Sequence, residues 1–224
     1  MSIRSTLEEI YAEKDSPGYY AAARSEILGM LPSHVERVLE LGCGEGATLA
    51  LLKDKGMADW TCGVDINQAA LTVARSRGVD QVIQGNIEES ELGIPAESCD
   101  VILCLDVLEH LVNPWKAMNV LYGLLKPGGV FVASIPNVRF IKTLLPLVFM
   151  DRWQYEESGI LDRTHLRFFT NTSAVELVKS CGLKIEAVRA NRSSKWPVRI
   201  ASMVTLGAVD KFTAFQYLIS AKKI

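Results

Sequence analysis

Short apolar runs alternate with amphipathic stretches along most of this chain. Seven of the runs have strand length and bulk: Arg37 to Leu41, Trp60 to Asp65, Gln81 to Gly85, Val101 to Leu105, Val130 to Ile135, Lys184 to Arg189 and Ala214 to Ser220. The fourth, "VILCL", is apolar on both faces, the pattern of a central strand covered by helices above and below. Between the first five lie helix-length segments: Ala47 to Lys55, Gln68 to Arg77, and Pro114 to Leu125 with Asn113 as N-cap. A further helix is expected from about Asn171. This order predicts an α/β fold: a doubly wound, mostly parallel seven-stranded sheet with helices on both faces, in one domain over residues 1–224.

Three stretches stand outside that frame. The segment "SPGYYAAARSEIL" from Ser16 reads as a helix within an N-terminal cover of about residues 1–35, with Tyr19 and Tyr20 lining a pocket or merely packing. The connection from Asn137 to Asn171 is long for a compact domain, and residues 137–171 are expected to form a substrate lid. Its "RFIKTLLPLVFMDRWQY" sets Arg139, Lys142, Arg152, Trp153 and Tyr155 among apolar residues. An amphipathic helix packed on the sheet is the expected arrangement, and peripheral membrane contact the alternative. A basic stretch, "RANRSSKWPVRI", carries Arg189, Arg192, Lys195 and Arg199; it reads as solvated loop charge or as a receiver of phosphate or anionic lipid.

The 224 residues are 49% hydrophobic, enough to bury a full core, and the formal net charge of -2 gives no reason to expect a nucleic-acid partner. The five cysteines, Cys43, Cys62, Cys99, Cys104 and Cys181, are odd in number and form no C-x-x-C pair. Reduced, buried thiols in a cytoplasmic protein fit that usage. The N-terminus lacks the apolar core of a signal peptide, and Phe140 to Met150, broken by Lys142, falls short of the ~20 residues of a membrane span.

Chemistry enters at "VLELGCGEGATLALL", Val38 to Leu52, where Gly42, Gly44 and Gly46 join a predicted strand to a predicted helix. Without a Cβ the chain can turn sharply there and let a ligand lie against the main chain. Asp65, about twenty residues on at the end of the second strand, could accept hydrogen bonds from both hydroxyls of a ribose. Dinucleotides, phosphates and adenosyl cofactors all use such turns, and "GCGEGA" also satisfies the dinucleotide pattern of a nicotinamide-dependent oxidoreductase. The turn and Asp65 alone leave the cofactor open.

The stretches "LELGCGEGATL", "GVDI", "QGNIEE", "CDVILCLDVLEHLVNP" and "LLKPGGVFVASIPN" occur in this order, and together they resemble the class I S-adenosylmethionine-dependent methyltransferases over about residues 37 to 136. The resemblance implies a Rossmann-like methyltransferase fold and S-adenosylmethionine as cofactor. It places Glu40 and the turn of Gly42, Cys43, Gly44 and Gly46 at the methionine moiety, and Asp65 with the adjoining Ile66 at the ribose. Asn86 and Ile87 would border the adenine, and Asp106 would meet cofactor or substrate. Aspartate is common in the family where Asn86 stands; the asparagine side-chain oxygen can still accept from the adenine amino group.

"DVLEHLVNP" together with "GILDRTHLRFFT", Gly159 to Thr170, resembles a narrower subgroup that includes ubiquinone-type O-methyltransferases and enzymes of glycan and lipopolysaccharide gene clusters. That resemblance implies transfer to oxygen on a small-molecule, glycan or lipid-linked acceptor. A non-catalytic adenosyl-binding scaffold of the same fold is the alternative of a different class. A sulfonium already supplies an electrophilic methyl, so the protein chiefly aligns the reactants and excludes water, while a hydroxyl nucleophile gains from a base. His165 and His110 are the candidates; their plainer readings are a residue fixing the lid and one packed at the sheet edge. His34 is expected at the surface. Adjacent residues such as Glu109 and His110 make a poor ligand pair, and no metal is expected.

Overall fold

In the computed structural model, which describes residues 22–88, 92–192 and 209–224, all seven predicted strands form and share one sheet. They are β1 (Val35–Leu41), β2 (Ala58–Asp65), β3 (Gln81–Gln84), β4 (Cys99–Leu105), β5 (Leu125–Pro136), β6 (Lys184–Arg192) and β7 (Ala214–Lys222). The spatial order is β3-β2-β1-β4-β5-β7-β6. β1 to β5 pair in parallel, whereas β7 runs antiparallel to both neighbours. The strand order reverses at β1, so the gap beyond the carboxyl ends of β1 and β4 is where a sheet of this kind receives ligands.

The helices are α1 (Ala47–Asp54), α2 (Gln68–Ser76), α3 (Pro114–Leu124), α4 (Ile141–Met150), α5 (Asn171–Lys179) and α6 (Asp210–Thr213). Their starts follow from local chemistry. The Asn67 side chain accepts from the backbone N–H of Ala69 and Ala70 to open α2, and Asn113 accepts from Lys116 N–H ahead of Pro114 in α3. Thr170 and Ser173 form a reciprocal capping box on α5. The start of α1 differs. Gly46 caps it in the left-handed region without a side-chain hydrogen bond, so the first N–H groups of that helix are left to whatever occupies the turn.

Alternation along the central strands builds a core on each face. Leu39, Leu41, Ile102, Cys104, Phe131 and Ala133 point to one side, and Val38, Val101, Leu103, Leu105 and Val132 to the other. Cys43, Cys62, Cys99 and Cys104 are buried free thiols, as expected; Cys181 is half-buried.

Two expectations change. The described part of the N-terminal cover is a short 3-10 helix, Ser25–Met30, that buries Ile27 and Met30; Tyr19 and Tyr20 lie outside the described residues, as do Lys195 and Arg199 of the basic stretch. In the connection 137–171, α4 forms but does not pack on the sheet, since Thr143 alone of its residues is buried. Leu145, Leu147, Val148, Phe149 and Met150 are exposed, Phe149 to 76% and Met150 to 68%. A segment apolar on every face cannot turn all of itself inward. Among the described residues no helix is long and apolar enough to cross a membrane.

The connection is nevertheless held where it returns to the sheet. Asn137 bridges to Phe169 and donates from Nδ2 to the carbonyls of Lys211 and Ala214. The N–H groups of Leu166 and Arg167 both donate to the Glu109 carbonyl at 2.9 Å, beside the end of β4.

Candidate active site

At the carboxyl end of β1 the chain leaves the sheet through Gly42, Gly44 and Gly46, which take φ of +68°, +50° and +71°. Only glycine adopts three such values in so short a span at little strain. Two of the three are also pressed by neighbours: a Cβ on Gly42 would lie 2.3 Å from Val107 Cγ2, and one on Gly46 would lie 2.8 Å from Ala74 Cβ and from Val79 Cγ2. The Cys43 side chain is buried, and its sulfur would stand 2.5 Å from a Cβ on Gly63 of β2. Cys43 thus turns its side chain into the core and keeps only its main chain for the turn.

Asp65, at the end of β2, ties this turn to the neighbouring loop. Its carboxylate accepts from Gly44 N–H at 2.8 Å and from Asn67 N–H at 2.9 Å. Burial raises its pKa, while the bonds from Asn67, Gly44 and Ile66 oppose the rise. Two carboxylate oxygens offer about four acceptor positions, so the turn does not exhaust Asp65. Glu40, second from last in β1, is only 3% exposed. Burial pushes its carboxyl up to about 8, against the opposing pull of the Arg24 guanidinium. Among the described residues its Oε2 has no hydrogen-bond partner. A buried, unsatisfied carboxylate oxygen beside a glycine turn is suited to a cationic group such as the ammonium of a methionine moiety.

Ile66 is exposed beside this edge, and its carbonyl accepts from Gln84 Nε2. Asn86 Oδ1 accepts from Glu88 N–H at 3.0 Å, so part of its acceptor capacity shapes the loop after β3. The Ile87 side chain is buried among Leu41, Val64 and their neighbours, and forms a floor for that loop.

Past β4 the chain turns at Asp106, a non-glycine residue at φ +57°. Its carboxylate receives Arg24 Nη1 at 2.5 Å, the Ser134 hydroxyl at 3.0 Å, and Gln216 Nε2. Arg24 also donates to Ser134 and Gln216, and Asn191 Nδ2 to Gln216. Residues of β5, β6, β7, the turn after β4 and the N-terminal cover therefore meet in one polar network. Three hydrogen-bonded partners hold Asp106 in a backbone state that costs on the order of 1 kcal/mol or more.

Beyond Asp106 the structure joins residues that the sequence keeps far apart. His110 ends a short 3-10 helix after β4, His165 lies in the returning connection, and their rings meet edge to face with centroids 4.6 Å apart. His165 Nδ1 lies 2.9 Å from the Ile160 carbonyl and His110 Nδ1 3.2 Å from the Thr164 carbonyl. A carbonyl only accepts, so each Nδ1 carries the proton. His165 Nε2 stands 3.9 Å from Glu109 Oε1. Glu109 is 1% exposed, and neither of its carboxyl oxygens has a hydrogen-bond partner among the described residues. Burial, with nearby Asp106, holds its pKa well above the usual carboxylate range. His34 lies elsewhere, exposed, between the Gly56 carbonyl and Asp59.

Sequence reasoning singled out Glu40, Asp65, Asp106 and both histidines, and these line one edge of the sheet in the fold. It missed Arg24, Ser134 and Gln216, and it weighed Glu109 only as a metal ligand. Nothing local marks Arg24 or Gln216: their link to Asp106 spans 82 and 110 residues of chain. The position of Ser134 near the carboxyl end of β5 could have found it, because that end borders the same gap.

Comparison with known proteins bears on the family and the fold. The methyltransferase domain family matches residues 7–188. Over 102 residues the chain is 38% identical to a probable S-adenosylmethionine-dependent methyltransferase of Mycolicibacterium smegmatis, a match that covers 45% of this chain and 38% of that protein. Over 200 residues it is 22% identical to a ubiquinone biosynthesis O-methyltransferase of Azoarcus sp., with 84% of this chain and 78% of that one covered. The chain thus spans well under half of the first relative and about three quarters of the second. A solved S-adenosylmethionine dependent methyltransferase of Mesorhizobium loti superposes with a TM-score of 0.64 at 19% identity, over 88% of this chain and 96% of that one. At that identity the likeness speaks for the fold.

Proposed function

We propose that this chain, which belongs to the methyltransferase domain family and is a class I S-adenosylmethionine-dependent methyltransferase, methylates a hydroxyl oxygen of a small-molecule, glycan or lipid-linked acceptor. Membership answers the question left by the glycine turn: the cofactor is S-adenosylmethionine, and the nicotinamide reading falls. In this proposal Glu40 takes the ammonium of the methionine moiety, Arg24 faces its carboxylate, and the N–H groups of the turn line its length. Asp65 takes the ribose hydroxyls, and the loop of Asn86 and Ile87 borders the adenine. The bound cofactor supplies a methyl group on a sulfonium, already activated for displacement.

The remaining work falls to the chain itself. Asp106 and its partners fix the end of β4, so whatever is held there keeps its orientation. The connection 137–171 closes over the acceptor and keeps water away. Oxygen as the nucleophile is supported by one observation above others, the His110, His165 and Glu109 cluster beside Asp106. Such a cluster has a use when the acceptor must lose a proton, as a hydroxyl does. The O-methyltransferase name of the Azoarcus relative points the same way.

The test is a screen of methyl transfer from labelled donor to quinols, sugar nucleotides and lipid-linked saccharides, with the methylated atom identified in the product. An O-methyl product is expected, with turnover by His110→Ala and His165→Ala lowered by ~10² or more and affinity for S-adenosylhomocysteine unchanged. A product methylated at nitrogen or carbon, or full turnover in both variants, would overturn the oxygen assignment.

A further inference from the structure

We infer that Tyr217, Arg139 and Arg192 form an oxyanion subsite at the carboxyl ends of β5 and β6, and that it holds a phosphate group of the acceptor. Tyr217 pairs with Ile135 near the end of β5 and with Ala190 near the end of β6. Its side chain is buried, with 5% of the residue exposed. A buried phenol ordinarily finds a hydrogen-bond partner. Among the described residues the Tyr217 hydroxyl has none. Unlike the oxygens of Glu40 and Glu109 it is not sealed, so its tip stays open to an incoming group.

Two cations act on that hydroxyl. Burial raises the Tyr217 pKa; Arg139 and Arg192 oppose the rise, and Asp210 adds to it. Arg139 follows the carboxyl end of β5, and its guanidinium carbon lies 4.7 Å from the centroid of the Phe212 ring. A guanidinium set over a ring engages it through its face, while the N–H donors stay at the edge. No carboxylate pairs with Arg139 among the described residues. Its main chain is also fixed, because its N–H donates to Asn137 Oδ1 and Asn137 in turn donates to the carbonyls of Lys211 and Ala214. Arg192, from the basic stretch, bonds Asp210 Oδ2 through Nη1 at 2.7 Å and keeps the rest of its donor fork. Two guanidiniums against one carboxylate leave this corner positive. Together with a phenol they offer more donors than the two oxygens of a carboxylate can use, and so suit a tetrahedral phosphate.

The corner borders the acceptor side of the molecule. Asn137 bridges to Phe169, in the segment that brings His165 back toward β4, and Gln216, next to Tyr217 in β7, bonds Asp106. The inference rests on the methyl-transfer reading above and narrows it. Of small-molecule, glycan and lipid-linked acceptors, those that carry phosphate fit, as sugar nucleotides and diphosphate-linked lipid saccharides do.

The experiment titrates the full chain with pyrophosphate by calorimetry in the presence of S-adenosylhomocysteine, and repeats the titration for Tyr217→Phe, Arg139→Gln and Arg75→Gln, the last an exposed arginine of α2. Saturable binding of one pyrophosphate per chain is expected, weakening as salt rises, with succinate bound about tenfold less tightly or worse. Tyr217→Phe and Arg139→Gln should each weaken pyrophosphate by about tenfold or more and leave S-adenosylhomocysteine affinity unchanged, while Arg75→Gln binds as the wild type does. Tyr217→Phe removes an oxygen that bonds nothing among the described residues, so it reads the site even if Arg139→Gln is unstable. Non-saturable binding, equal binding of succinate, or wild-type binding by both Tyr217→Phe and Arg139→Gln would overturn the inference. In transfer assays a nucleoside diphosphate sugar and a short-chain lipid diphosphate saccharide separate the two sources of phosphate, each set against its phosphate-free glycoside. A lower KM for either phosphorylated acceptor, lost in Tyr217→Phe, supports the subsite, and equal KM for the glycosides overturns it. Pyrophosphate binding without any affinity for S-adenosylhomocysteine would instead count against the methyl-transfer reading.

Discussion

At the scale of single residues, Glu40 carries the sharpest expectation. Burial lifts its carboxyl to about 8 from the ordinary 4.5, so the fold holds this proton more tightly than the unfolded chain does. The stability that Glu40 contributes is therefore fully present below pH 4.5 and is lost as pH rises through about 8. Over that window the slope is at most about 1.4 kcal/mol per pH unit. Replacing Glu40 by Gln removes that slope, which pH-dependent thermal melts of the two proteins would read directly. An arriving ammonium reverses the balance by favouring the ionised form. Binding of S-adenosylhomocysteine near pH 7 is expected to release a proton, and its calorimetric heat to vary with the ionisation enthalpy of the buffer. A heat independent of buffer would show that Glu40 does not meet the ammonium. Asp65 and Glu40 could both be singled out from the sequence, Asp65 in "GVDI" and Glu40 ahead of "GCGEG". The proton on Glu40 could not, because it depends on burial and on Arg24, a residue of the N-terminal cover.

At the scale of elements, the turn between β1 and α1 serves more than one purpose. The sequence reads its glycines as making room for a ligand, yet in the fold Gly42 and Gly46 make room first for Val107, Ala74 and Val79. Gly42→Ala is expected to destabilise the protein by about 1–3 kcal/mol, from a left-handed φ on a residue with a side chain and from the contact with Val107. In a chain of this size that is a fall in melting temperature of roughly 2–4 °C per kcal/mol. Adding Val107→Ala should return only the steric part, and thermal melts of both single variants and the pair separate the two causes. Equal stability of Gly42→Ala and wild type would mean that the turn relaxes freely. The strands were readable because a short apolar run is a local signal, and so was the cap at Asn113. Helix α4 was readable as an element but not in its setting, since nothing in "IKTLLPLVFM" says which face, if any, finds a partner.

At the scale of the whole molecule, the bare apolar surface of α4 lies within the same connection that carries His165. Phe149 and Met150 bury little in the fold, so Phe149→Ser with Met150→Ser is expected to change stability by no more than ~0.5 kcal/mol per site. If the acceptor carries an apolar tail, the same pair should raise KM for it and leave KM for a short water-soluble analogue unchanged. Kinetics with the two acceptors check this, and an equal effect on both would assign α4 a role unrelated to the tail. The sequence by itself determined the strands, most of the helices, the place of the glycine turn and the acid at the end of β2, because spacing, capping and backbone freedom act over a few residues. Only the tertiary structure decided that Arg24 and Gln216 converge on Asp106, that α4 stays exposed, and that His165 comes to lie against His110 and Glu109. Those meetings are set by the order of strands across the sheet and by the path of a long connection, and a local pattern carries no signal of which distant residues will share one edge.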